Sequence, residues 1–198
     1  MGVLPAKEKM PSSKFVFPKN GATIGVNQTF NIQMRIKDLE TGNFVNAAQN
    51  FYAAPQQLNG QGIIRGHSHV VIQQIPALDS TDLLNPEAFV FFKGLNSAGN
   101  SAGILAVEVT NGLPAGVYKI SSLNTASNHQ PALAPVAQHG SLDDTVYVRP
   151  IFTCPWNHLM WLLLVHSFQF CTLFRCAVQP AFVTMYRDYI ATGARTML

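Results

Sequence analysis

The first 148 residues contain no cysteine; Cys154, Cys171 and Cys176 all lie beyond Arg149. Neither a disulfide framework nor a thiolate zinc site is therefore available to that region. Charge is scarce as well, with Asp, Glu, Lys and Arg making up 12% of the 198 residues, against roughly 25% in an average soluble protein. Residues 1–148 hold nine basic and nine acidic side chains, so the formal charge of +3 arises wholly from residues 149–198, where four Arg stand against one Asp. No clustered cations mark a nucleic-acid footprint, so no nucleic-acid partner is expected. The chain also lacks a G-x-S-x-G nucleophile elbow, a P-loop and a dinucleotide-type glycine pattern. A non-catalytic binding domain is the expected class.

The opening segment MGVLPAKEKMPSS has no apolar core and no small-residue cleavage site, so it is not a signal peptide. It also fails as a myristoylation signal, because Ala6 stands where Ser or Thr is required. Residues 1–13 read as a leader remnant of a truncated gene model.

What the next 135 residues have is strand periodicity. Phe30, Ile32, Met34 and Ile36 alternate with Asn31, Gln33, Arg35 and Lys37, the period-2 pattern of a half-buried strand. Further strands are expected at KFVF, GHSHVVIQQI, AFVFF from Ala88, GILAVEV from Gly103, GVYKIS from Gly116 and DTVYV from Asp144. Seven short strands divided by turn residues predict a mainly β fold, an antiparallel β-sandwich of immunoglobulin or fibronectin type, over residues 14–148. The Asn- and Gln-rich stretch Thr41 to Gly62 reads as a long structured loop holding one short helical turn, and Thr110 to Gly116 (TNGLPAG) as a hairpin.

Composition changes sharply at Arg149. Both Trp lie beyond it, while thirteen of fourteen Gly lie before it. Residues 149–198 form a hydrophobic tail whose stretch 150–174 is uncharged and long enough to cross a bilayer, which takes about 20 apolar residues. Pro150, Pro155, Asn157, His158, His166 and Gln169 interrupt it. A membrane segment, a packed helix and a gene-model artefact, such as translated intron, are the three readings of this tail.

The runs PSSKFVFPKNGATI, GNFVNAAQNFYAAPQQLN, GHSHVVIQ, FVFFKGLN, GLPAGVYKI, SNHQPALAPVAQHG and DDTVYV resemble a family of secreted fungal proteins of unknown function. Automated naming often labels that family ribosomal protein S17, a label that a neutral domain does not support. The resemblance covers about residues 10–148 and implies an extracellular domain. A neutral sandwich with a long Asn- and Gln-rich loop and no catalytic constellation adds a cell-wall glycan or another extracellular ligand as the expected partner. In a secreted chain the sequon at Asn27 would accept a glycan.

His67 and His69 stand two apart on a predicted strand, on one face and about 7 Å from each other, so both can approach one ion. His129, His139, Asp143 and Asp144 are the available further ligands, and neutral imidazole suits Cu or Zn among other metals. The alternative is a solvent-exposed strand face on which His67, His69 and Gln73 are ordinary polar residues, or a histidine pair that hydrogen-bonds to loop carbonyls and orders the long loop. A cupin comparison fails at two ligands: Gln73 or Gln74 occupies the Glu position and Lys119 that of the late His. Asp143 and Asp144 read as a solvated turn, and Phe51, Tyr52 and FVFF mostly as core.

Overall fold

A computed structural model describes residues 1–152. Residues 153–198 lie outside the described residues, and with them the three cysteines and nearly all of the stretch considered as a membrane segment. Among the described residues no helix is long and apolar enough to cross a membrane.

The described unit is a β-sandwich of nine strands and one short helix: β1 (Ser12–Phe17), β2 (Ala22–Gly25), β3 (Phe30–Lys37), β4 (Leu39–Glu40), α1 (Ala47–Asn50), β5 (Ile64–Ile75), β6 (Phe91–Leu95), β7 (Ile104–Val109), β8 (Val117–Ala126) and β9 (Thr145–Ile151). One sheet has the order β1-β3-β7; the other runs β2-β9-β8-β5-β4, with β6 also paired to β5. The expected mainly β sandwich is present. Two parallel pairs, β2 with β9 and β4 with β5, make the larger sheet mixed.

The alternation in β3 is reproduced residue by residue: Ile32, Met34 and Ile36 are buried, while Asn31, Gln33, Arg35 and Lys37 are exposed. They meet Phe15 and Leu105 on their own sheet and Val70, Ile72, Ile120, Val146 and Val148 from the other, in one apolar core. Each fully buried aliphatic side chain contributes roughly 1.5–3 kcal/mol.

Three local expectations are corrected. TNGLPAG is no hairpin: β7 pairs with β3 and β8 with β5 and β9, so this segment carries the chain from one sheet to the other. Its Asn111 and Gly112 do take the left-handed angles of a tight turn, but Leu113 is held by Asn27, whose N–H donates to the Leu113 carbonyl at 2.8 Å. The turn therefore packs on the β2–β3 connection rather than closing a ladder. The FVFF strand begins later than expected, at Phe91, because Ala88 closes a turn with Asn85 and the Gln73 amide donates to both their carbonyls.

The third correction concerns the N-terminus. Residues assigned to a leader are packed against the domain: Gly2 bridges Gln56, Pro5 and Pro11 are buried, and β1 already begins at Ser12. Gln56, fully buried, donates from Nε2 to the Val3 carbonyl and accepts from Leu133 N–H at 2.9 Å.

Met34 should report this core. Met34→Ala is expected to lower unfolding free energy by about 2–5 kcal/mol in urea titration, and the neighbouring Gln33→Ala by less than about 0.5 kcal/mol.

Candidate metal centre

The long strand β5 lies between β8 and β6, with Ser68, Val70 and Ile72 turned to the core and His67, His69 and Val71 on the outer face. That outer face is not free. The loop after β4 crosses it, with Asn43 N–H donating to the Gly66 carbonyl at 3.1 Å and Val45 N–H to the Ser127 carbonyl at 2.9 Å. Arg65 anchors the loop from β5, its guanidinium donating to the Asn43 side chain at 2.7 Å and lying beside Glu40. The exposed-face reading of this strand is thereby corrected: His67 is 0% and His69 9% exposed. Gln73, farther along, is half-buried.

Close approach of β5 and β8 helps to seat His67. A Cβ on Gly66 would fall 1.9 Å from the Thr125 carbonyl oxygen, so this position needs glycine. Beyond β8 the chain turns back at once: His129 N–H donates to the Ala126 carbonyl at 3.0 Å, and His129 itself has φ +70°. Such an angle is uncommon for a residue other than glycine, and it aims the SNHQP turn at β5.

Three imidazoles meet as a result. The ring centroids of His67 and His69 are 4.7 Å apart, those of His67 and His129 4.6 Å, and those of His69 and His129 5.5 Å. One nitrogen from each ring lies within 4.8 Å of the others. Zinc–nitrogen bonds of roughly 2.0–2.1 Å place neighbouring tetrahedral ligands roughly 3.3 Å apart, so small side-chain adjustments close the set around one ion. His139 is not brought to the cluster. It is exposed on a turn, with Nδ1 against the Gly140 carbonyl.

The outward nitrogens decide what the inward ones offer. A carbonyl only accepts, so His67 Nδ1–H donates to Asn43 O at 3.2 Å and His129 Nε2–H donates to Val45 O at 2.8 Å. His69 likewise has the Leu123 carbonyl as a hydrogen-bond partner. With those protons committed, His67 Nε2 and His129 Nδ1 confront each other at 3.1 Å as acceptors, with the Thr125 hydroxyl 3.3 Å from His67 Nε2. Two neutral imidazoles have two protons for three such positions. A third proton or a metal cation relieves the opposition of the two nitrogens while both carbonyl bonds are kept.

Burial works against the proton. It lowers the His67 pKa from 6.5 to about 4, with His69 and His129 adding repulsion and the Asn43 carbonyl opposing. Burial also lowers that of His69, reinforced by His129 and opposed by the Leu123 carbonyl. Neutral imidazole is the form that ligates metals.

A cleft of about 530 Å³ opens beside the cluster, lined by His69 and His129 together with Phe51, Tyr52, Phe92 and Leu123, among others. The three aromatic residues are exposed rather than core, correcting the packing expectation; Phe89 is exposed as well. Asp143 also lines the cleft, while its carboxylate accepts from Asn124 N–H at 2.7 Å. Asp144 accepts from Phe15 N–H at 2.8 Å and pairs with Lys14. The two acids do point different ways, but each stitches strands together instead of forming a solvated turn. The predicted glycan acceptor Asn27 is exposed at a turn before β3.

Sequence periodicity found the His67/His69 pair, and SNHQP was a recognisable third candidate. Hydrogen bonding of histidines to loop carbonyls, the other expectation for this strand, is present at Asn43 and Val45; which carbonyls serve was not legible, because main-chain acceptors carry no residue signature.

A family model described as the CLU5d N-terminal domain matches residues 13–150. Pathogenicity cluster 5 protein d of Colletotrichum graminicola is 45% identical over 145 residues, which is 73% of this chain and 30% of that protein. The matched segment thus spans less than a third of the relative's length.

Because His67 is harder to protonate folded than unfolded, the unfolded chain holds the extra proton between about pH 4 and 6.5. Its contribution to stability is complete above pH 6.5 and declines as pH falls towards 4, by up to about 3 kcal/mol. Asp143, whose pKa burial raises, has the opposite sign, its contribution fading as pH rises. Urea titrations from about pH 4 to 7.5 should therefore show a flatter dependence for His67→Gln than for wild type. Identical slopes would assign the effect elsewhere.

Proposed function

The chain belongs to the CLU5d N-terminal domain family, and we propose that this domain is a metal-binding β-sandwich that takes copper or zinc through His67, His69 and His129. The observation that carries the proposal is the hydrogen bonding of the rings. Outer nitrogens facing carbonyls, with inner nitrogens converging, are the arrangement that fixes imidazole tautomers around a metal. An all-imidazole set suits copper and zinc better than calcium or magnesium, which prefer oxygen ligands.

Each residue has a distinct part. His67 lies deepest and is held by Asn43, while His69 and His129 carry the set to the edge of the cleft. Among the described residues no fourth His, Cys, Asp or Glu joins the cluster. When bound, the ion would supply a Lewis-acidic position toward the cleft. We place the domain outside the fungal cell, as a binding module rather than an enzyme. The resemblance to secreted fungal proteins and the relative's name, a pathogenicity-cluster protein, support that placement.

Calorimetric titration with Zn²⁺ and Cu²⁺ tests the site. It is best done on the full chain carrying Cys154→Ser, Cys171→Ser and Cys176→Ser, so that thiolates do not compete. One ion per chain is expected, with affinity reduced by more than about 100-fold in His67→Ala or His129→Ala and unchanged in His139→Ala. Equal binding by a His67→Ala/His69→Ala double variant would sink the proposal.

A further inference from the structure

Resting on that reading of the three histidines, we propose that the adjoining cleft binds a neutral phenolic molecule with neighbouring hydroxyl groups, a catechol-type chelator, whose oxygens occupy the cleft side of the ion. Three protein ligands leave a tetrahedral ion one position short, and five-coordination would leave two. His69 and His129 line the cleft while His67 is sealed behind them, so the free positions fall on the cleft side.

The walls select what reaches those positions. Phe92 stacks on His69, with ring centroids 5.2 Å apart and planes 29° from parallel. Phe51 lies 6.0 Å from His129 at 33°, and Tyr52 stacks on Phe51 at 4.2 Å. These rings flank the imidazoles yet stay about half exposed: Phe51 is 59%, Tyr52 55% and Phe92 48% accessible. Exposed aromatic faces grouped at a cleft mark a surface for another flat apolar body.

Charge and size narrow the class further. Among the described residues no Lys or Arg lines the cleft, so a phosphate or polycarboxylate would find no cationic side chain from them there. The cleft's volume of about 530 Å³ lies within the range of roughly 300–1,000 Å³ usual for small-molecule sites. A phenol suits the ion better than an alcohol because it ionises far more readily. On binding, its O–H proton passes to bulk solvent and the phenolate oxygen bonds the ion.

The probe is 4-nitrocatechol, whose visible absorption moves to longer wavelength on ionisation, titrated into the Zn²⁺-loaded full chain at neutral pH. Zinc is redox-inert, so a shift beyond that of the free, partly ionised probe at the same pH reports coordination. Saturable one-to-one binding is expected, at least tenfold weaker in Phe92→Ala and in Tyr52→Ala at full metal occupancy. Leu83→Ser, fully exposed and away from the cleft, should match wild type. Melting temperatures of all variants identify any that fail to fold. If zinc does not bind, both the metal reading and this inference fall. If zinc binds but 4-nitrocatechol does not, or binds equally to Phe92→Ala and Tyr52→Ala, only the phenolic inference falls. Displacement of the probe by xylo- or gluco-oligosaccharides at lower concentration than by catechol would also overturn it, in favour of a glycan.

Discussion

The ladder between β5 and β8 runs through ten residue pairs, from Gly66 opposite Ala126 to Ile75 opposite Val117. Almost everything else is arranged around it. Its inner face supplies Val70, Ile72, Tyr118 and Ile120 to the core, and its outer face holds two histidines at a fixed separation. Because β8 ends opposite Gly66, the turn that follows arrives beside His67, and the third imidazole enters at that point. A slip of one residue in this register would exchange core and surface along the strand.

The sheets are joined by more than apolar contact. At one end of the interface Asn124 Nδ2 donates to Ser13 Oγ at 3.0 Å and to the Leu142 carbonyl at 2.9 Å. Ser13 belongs to the small sheet and Asn124 to the large one, so a polar cluster crosses between them. Asp143 and Asp144 reinforce it from the segment that leads into β9. Buried groups of this kind stabilise little net of desolvation, but leaving one unpaired costs about 1–3 kcal/mol, which penalises alternative sheet alignments.

Much of this was legible in the sequence where a single period dominated. β3 has clean alternation and sits at the centre of its sheet, so local pattern and tertiary burial agree. The His-x-His pair was legible for the same reason, since strand geometry alone puts i and i+2 on one side. Its burial was not. Whether that side meets water depends on where residues 41–57 travel, and nothing local in an Asn- and Gln-rich loop specifies its path. TNGLPAG misled because Asn-Gly encodes backbone angles, not the partner of the following strand. Phe51, Tyr52 and Phe92 misled because hydrophobicity predicts burial on average, whereas these rings border a cleft.

The groups that orient the imidazoles belong to the main chain at positions 43, 45 and 123. The side chain at position 45 can therefore drift during evolution without changing what the rings experience, whereas that of Asn43 also holds the loop on its course through Arg65. Related chains with the three histidines but divergent loops would retain the same tautomers, and sequence comparison would record their outer sphere as variable while its chemistry stayed constant.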